Sequence, residues 1–388
     1  MRRPGAALVA GCAAALLLFA SGCDKDNEAE PPAELVDLTP SLAVDKLWDR
    51  GLDGDAVRLR LALGLALDGG TLYAASRDGR LEALDPATGR PRWSVATKAA
   101  LSAGPGVGAG RVVVGSSDGA VLAYDTAGTR LWQADVAGEV LAAPLVTRDR
   151  VVVRTVDGRL RSLDAATGRE QWSAEEPVPR LSLRGNAPPV LAGDAVLAGF
   201  DSGKVVAFAL ASGDVLWQSQ VSTPRGRSEL ERLADVDSAV HVEGDDGYAV
   251  GYQGRVVMFA LDTGQVWWGR ELSSYRGLAL DADQLYVAAS DGSVVALRRR
   301  DGSVLWQQDA LRRRGLGAPA VVGSAVVVGD FEGYLHFLDR GDGKLVARER
   351  SGGERISAAP LVDGPHLYVI DEGGRVAAWR VGGAASGT

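Results

Sequence analysis

Two cysteines, three histidines and two methionines among 388 residues leave little room for thiol or imidazole chemistry. Cys12 falls inside an apolar N-terminal run and Cys23 just after it, so the rest of the chain has no thiol. That excludes a disulfide framework, a Cys-x-x-Cys-His haem segment and the paired Cys/His spacings of zinc sites. His241, His336 and His366 are isolated in sequence and read as strand or surface residues rather than ligands. Long hydrophobic runs are lacking too, because Ala6 to Phe19 is too short for an ordinary membrane span. Positive charge is in deficit, with 42 Lys and Arg against 50 Asp and Glu. An acidic chain with no basic stripe argues against nucleic acid and against peripheral binding to anionic lipid. Few segments repeat apolar residues at helical spacing. Glycine is abundant, 50 residues of it, repeatedly beside Asp.

The stretch from Val151 to Trp172, VVVRTVDGRLRSLDAATGREQW, accounts for those glycines. VVVRTV is an apolar β-branched strand, and Asp157-Gly158 is a hairpin turn where positive φ costs little. RLRSLD alternates, with Leu160 and Ser162 on one face and Arg161 and Leu163 on the other. Asp164 to Gly168 is a second turn, whose Asp and Thr side chains can bond the local backbone. REQW closes the unit with an aromatic that needs burial. One such unit cannot bury both faces alone, so it requires neighbours of its own kind. They are present: DGRLEALD (78–85), DGAVLAYD (118–125), DGRLRSLD (157–164), SGKVVAFA (202–209), QGRVVMFALD (253–262), DGSVVALR (291–298), EGYLHFLD (332–339) and GGRVAAWR (373–380).

The Trp-bearing strand recurs at Trp48, Trp93, Trp132, Trp172, Trp217, Trp267-Trp268 and Trp306, with KLVAR (344–348) as a copy lacking Trp. A period of about 40 residues is that of four-stranded propeller blades. Trp48 precedes every copy of the other strand, and the last copy has no Trp strand after it. The ends therefore complement each other. The reading is an all-β, eight-bladed β-propeller of four-stranded antiparallel blades, closed by pairing of the N- and C-terminal strands. Small residues and proline before each apolar strand, as in SAGPGV (102–107) and AAPLV (142–146), suit innermost strands crowded at the axis.

Residues 1–22 read as a signal peptide: a basic Met-Arg-Arg, an apolar stretch, then Ala20-Ser21-Gly22 before Cys23. The small residues before Cys23 resemble a bacterial lipobox, with Ala20 in place of the usual Leu, so Cys23 is expected to carry lipid. Loss of Arg2 and Arg3 would leave 40 basic against 50 acidic residues. Residues 23–44, acidic and interrupted by Pro31, Pro32 and Pro40, read as a flexible tether. The propeller is expected over 45–382, with a short tail at 383–388.

Two stretches break the repeat, and departures from a regular scaffold are where function is usually grafted. AEEPVPRLSLRGNAPP (174–189) is an over-long connection in which Leu181 and Leu183 stand two apart beside Arg184. Either it is an alternating strand with both leucines in the core, or a loop presenting two apolar anchors and an arginine to a partner. STPRGRSELERLADVD (222–237) has Ser228 and Glu231 at capping-box spacing, which predicts a short helical turn from about Glu229. Asp235 and Asp237 follow at i, i+2, either merely solvated or on the wet rim of the same surface.

These segments make a resemblance specific. With the lipobox, the PPAEL tether, SYRGLALDADQLYVA (274–288) and GDFEGYLHFLDRGDGKLVARER (329–350), the whole chain resembles the BamB family. These are lipoprotein propellers of the β-barrel assembly machinery of Gram-negative outer membranes. The resemblance implies a non-catalytic scaffold on the periplasmic side of the outer membrane, docking on the POTRA domains of BamA. It implies Leu181, Leu183, Arg184, Asp235 and Asp237 as partner-binding positions and Cys23 as the lipidation site. No cofactor and no metal are expected from the residues themselves, since the carboxylate-rich turns Glu243–Gly247 and Asp339–Gly343 have incomplete calcium-ligand spacing. Asp24 after the lipidated cysteine resembles an inner-membrane retention signal of enteric bacteria, yet the family's location is the one adopted.

Contact with unfolded outer-membrane clients, by pairing with a blade edge, stays open at this stage. So do two alternatives: a periplasmic scaffold for another partner, and a quinone-dependent dehydrogenase built on the same repeat. The dehydrogenases resemble one another in a vicinal cysteine pair, which is absent here.

Overall fold

The computed structural model describes residues 30–52, 62–181, 187–223, 227–228, 230–231 and 233–384. Among them every regular element is a strand. The strands form eight antiparallel four-stranded blades, spanning 65–96, 101–135, 145–175, 190–220, 241–271, 278–308, 320–350 and 361–384. Blade 8 takes its fourth strand from the other end of the chain, Leu42–Gly51. It pairs with Arg375–Ala384 over its whole length, and Trp48 stands opposite Ala378. The expected closure is therefore present. Ala62–Leu63 adds a short parallel strand to blade 2.

The unit read from sequence maps onto blade 3, whose strands Arg150–Arg154, Arg159–Asp164 and Glu170–Glu175 follow one another as a meander. The recurrent Asp of the second turn bonds its own backbone. Asp164 Oδ1 accepts from the Thr167 amide at 2.9 Å and the Thr167 hydroxyl at 2.7 Å, and Asp85 is held alike. Crowding at the axis is equally physical. A Cβ on Gly106, in the innermost strand of blade 2, would lie 2.0 Å from the carbonyl oxygen of Pro144.

Neighbouring blades are joined by tryptophan. In seven blades one outer-strand Trp lies over the turn glycine of the next blade and donates its indole N–H to a carbonyl of that turn. Trp172 covers Gly213 and reaches Leu210 O at 2.9 Å. Trp48, Trp93, Trp132, Trp217, Trp268 and Trp306 repeat the arrangement at Pro86, Thr126, Ala165, Leu261, Arg299 and Arg340. Gly213 has φ +78°, and a Cβ there would meet the Trp172 ring at 2.6 Å, so the turn needs glycine for backbone and contact alike.

Blade 7 is the copy without Trp, and the topology supplies the reason. Its neighbour, blade 8, has chain ends where the others have the turn between third and fourth strands. There is no turn for a Trp to cover, and Ala347 stands opposite the large, buried Phe337 instead.

Antiparallel order assigns the loops to two faces. One carries the turns between second and third strands and the crossings from each blade to the next. The other carries the remaining turns, including those under the tryptophans. Both repeat-breaking stretches are crossings, so both lie on the first face.

Candidate functional site

The crossing from blade 3 to blade 4 leaves the outer strand at Glu175. Glu176 is pinned at once, its carboxylate accepting from Lys204 Nζ at 2.9 Å and Ser202 Oγ at 3.2 Å. Beyond it the chain stands out from the ring: Val178 and Leu181 are 38% and 43% exposed. Of the two readings for this stretch, Leu181 takes the exposed one. Leu183 and Arg184 lie outside the described residues, as does Cys23.

The next crossing, from blade 4 to blade 5, is tied down at both ends. Ser222 donates its hydroxyl to Tyr252 O at 2.7 Å, and Val236 packs in the core beneath Gly199. Between these ties the expected capping box forms. Glu231 N–H donates to Ser228 Oγ at 3.2 Å, and Glu231 Oε2 accepts from the amides of Arg227 and Ser228 at 2.7 and 3.1 Å. It closes a turn at Leu230 and Glu231 without a helix among the described residues. The turn presents Leu230, 67% exposed, while Leu233 and Ala234 are buried.

Adjacent crossings thus offer Leu181 and Leu230 on one face. Beside the second, Tyr252 and Tyr275 meet edge to face at 6.1 Å, and Arg276 lies 5.0 Å from the Tyr275 ring. Leu230 and the tyrosine pair were not among the residues singled out from sequence. A leucine in the otherwise charged RSELER was the available signal.

The two aspartates differ from the expected wet rim. Asp235 is 1% exposed, because the backbone of its segment bonds inward: Tyr252 N–H donates to Asp235 O at 2.7 Å, and Val236 N–H to Phe200 O at 3.2 Å. Neither carboxyl oxygen of Asp235 reaches a backbone or basic donor. Asp237 is partly exposed, with Oδ1 buried. Nearby, Arg154 and Asp201 form a buried ion pair, the guanidinium 5.2 Å from the Phe200 ring. Burial pushes the Asp235 carboxyl up to about 9, and the negative charges of Asp237 and Asp201 add to that. Burial also raises Asp237, to about 6, against the pull of Arg154. Burial and the neighbouring carboxylates therefore favour the protonated form of Asp235.

A carboxyl raised on folding takes up a proton, so its stabilising contribution is full in acid and declines as pH rises toward 9. Asp235→Asn removes that dependence. The variant should gain on the parent as pH rises from 4 to 8, by up to about 1.4 kcal/mol for each pH unit. Chemical denaturation at the two pH values reads the difference. An equal offset at both would show that Asp235 folds ionised.

The protein has relatives along nearly its whole length. The family model described as outer membrane protein assembly factor BamB matches residues 43–133, 77–308 and 290–382. The outer membrane protein assembly factor BamB of Pseudomonas aeruginosa is 43% identical over 369 residues, covering 95% of this chain and 97% of its own. The chain belongs to the BamB family. The crystal structure of BamB from Moraxella catarrhalis matches with a TM-score of 0.80 at 29% identity, covering 87% of this chain and 100% of that one. The quinohemoprotein alcohol dehydrogenase of Comamonas testosteroni has a TM-score of 0.68 at 14% identity over 89% of this chain and 77% of its own, a likeness of fold alone.

Proposed function

We propose that this protein is a non-catalytic scaffold subunit of the outer-membrane β-barrel assembly machinery. Lipid on Cys23 anchors it to the outer membrane on the periplasmic side, and its crossings at 176–189 and 221–240 hold the POTRA domains of BamA. The observation that carries the reading is the pair of adjacent crossings that break the repeat and put Leu181 and Leu230 into solvent on one face of the ring. Apolar anchors near an arginine are the composition of an interface hot spot. Leu183 and Arg184 belong to the same surface by family resemblance. Asp235 supports that surface from beneath, and Asp237 contributes at its edge.

Arg184→Ala should weaken binding to purified BamA POTRA domains by about 2 kcal/mol, roughly thirtyfold. Leu181→Ala should weaken it by about 1 kcal/mol. Neither should move the melting midpoint if the stretch serves docking alone, since Leu181 already meets solvent. Titration calorimetry beside thermal melts decides the matter. Undiminished affinity in both variants would remove the proposed docking surface.

A further inference from the structure

Residues 33–41 are not a free tether. The Ala33 N–H donates to Arg312 O at 3.0 Å, and Ser41 N–H donates to Val346 O at 2.8 Å. Two guanidiniums hold the stretch between them: Arg314 Nη1 donates to Ala33 O at 3.0 Å and Arg348 Nη1 to Val36 O at 2.9 Å. Asp37 adds a carboxylate near Arg348. Ala33, Leu35 and Leu38 are half-buried.

Both guanidiniums are set in place by one buried carboxylate. Asp330, 0% exposed, accepts at Oδ2 from Arg314 Nε at 2.8 Å and from His336 Nε2 at 2.9 Å. Its Oδ1 accepts the amides of Glu332 and Tyr334. With its proton on Nε2, His336 offers Nδ1 to Arg348 Nε at 3.4 Å. Glu332 pairs with Arg314 from the solvent side, and Phe331 lies under its guanidinium at 5.1 Å. Donors fixed before the ligand arrives lose little freedom on binding it, which is the economy of a built site.

We propose that blade 7 carries a binding site for the chain's own residues 33–41, a strap that shortens the membrane leash and fixes where it leaves the ring. The strap lies at the one blade junction without a tryptophan. Arg312 and Arg314 belong to the crossing from blade 6 to blade 7, on the face that bears the candidate docking loops. Ser41 meets the start of the outer strand of blade 7, beside the opposite face. The strap therefore descends the edge of blade 7, and the leash departs from the docking face.

The inference rests on Cys23 as the anchor. From Cys23 to Ala33 an extended chain spans at most about 35 Å, against roughly 70 Å were everything to Val44 free. A partner domain on the docking face would then be held between ring and bilayer, close to the membrane.

Hydrogen exchange on the full lipoprotein in lipid nanodiscs tests the strap. The Ala33 and Ser41 amides, both bonded to the ring, should exchange at least tenfold more slowly than the same amides in the unfolded chain. Arg348→Ala should abolish the difference. Ala33→Pro, which deletes the N–H bonded to Arg312 and substitutes no residue of the ring, should do the same with an unchanged melt. Equal exchange in the parent, or protection surviving both substitutions, would overturn the strap. Neutron reflectometry on supported bilayers should place the ring farther from the membrane in Ala33→Pro, and an unchanged height would overturn the short leash. Loss of the parent from the bilayer would refute the Cys23 anchor, and with it the leash, while exchange still decides the strap.

Discussion

A chain beginning at Leu52 should lose about 5 kcal/mol or more of stability, enough to unfold many domains of this kind. The loss has three sources. The first is the ten-residue ladder between Leu42–Gly51 and Arg375–Ala384, whose removal bares a long edge strand. The second is packing, since Leu42 and Val44 sit in one core cluster and Trp48 in another, its indole bonded to Pro86 O at 2.9 Å. Deleting one large buried side chain costs about 3 kcal/mol or more by itself.

The third is electrostatic. Arg50 pairs at 2.8 Å with Glu82, which is 2% exposed, and a buried carboxylate stripped of a guanidinium is strongly destabilising. Arg375–Asp49 and Arg380–Asp45, both on the surface, add little. Removing only residues 24–32 should leave the midpoint where it was. Urea titrations of both truncations make the comparison, and equal midpoints would sink the closing role of the first strand. A peptide of residues 42–51 added in trans should restore part of the loss.

The ring was legible because its signals repeat. Each Asp-Gly or Gly turn fixes a hairpin, each Trp marks an outer strand, and the unmatched strands at the two ends specify closure. The lack of Trp at 344–348 was visible, but its cause was not. That cause lies in the connectivity of the next blade, where chain ends replace the turn that a Trp would cover.

The site was less legible for the reason that made it conspicuous. Residues 221–240 break the period, so no alternation tells which way a side chain faces. Asp235 turns inward because Val236 N–H and Asp235 O are spent on Phe200 and Tyr252, bonds that no local pattern announces. The docking of residues 33–41 was hidden similarly. Prolines and acids describe the segment, whereas its attachment depends on carbonyls accepting from Arg314 and Arg348, about three hundred positions away.

Trp267 and Trp268 allow the joints between blades to be tested one side chain apart. The repeat leaves open which of the two fills the blade-closing position, and register decides it. Trp268 stands opposite Met258, over Gly302 of the next blade, with its indole N–H on Arg299 O at 2.9 Å. Trp267 alternates outward and is 55% exposed. Trp268→Ala removes packing and a hydrogen bond between blades 5 and 6, leaving the carbonyl of Arg299 without its donor. The expected cost is about 3 kcal/mol, mostly lost burial and the cavity left behind. Trp267→Ala should stay within about 0.5 kcal/mol of the parent, since its ring already meets water. Phe at position 268 should recover the packing share of the loss without the hydrogen bond. Similar midpoints for the two alanine variants in denaturant melts would mean that the tryptophans do not join the blades.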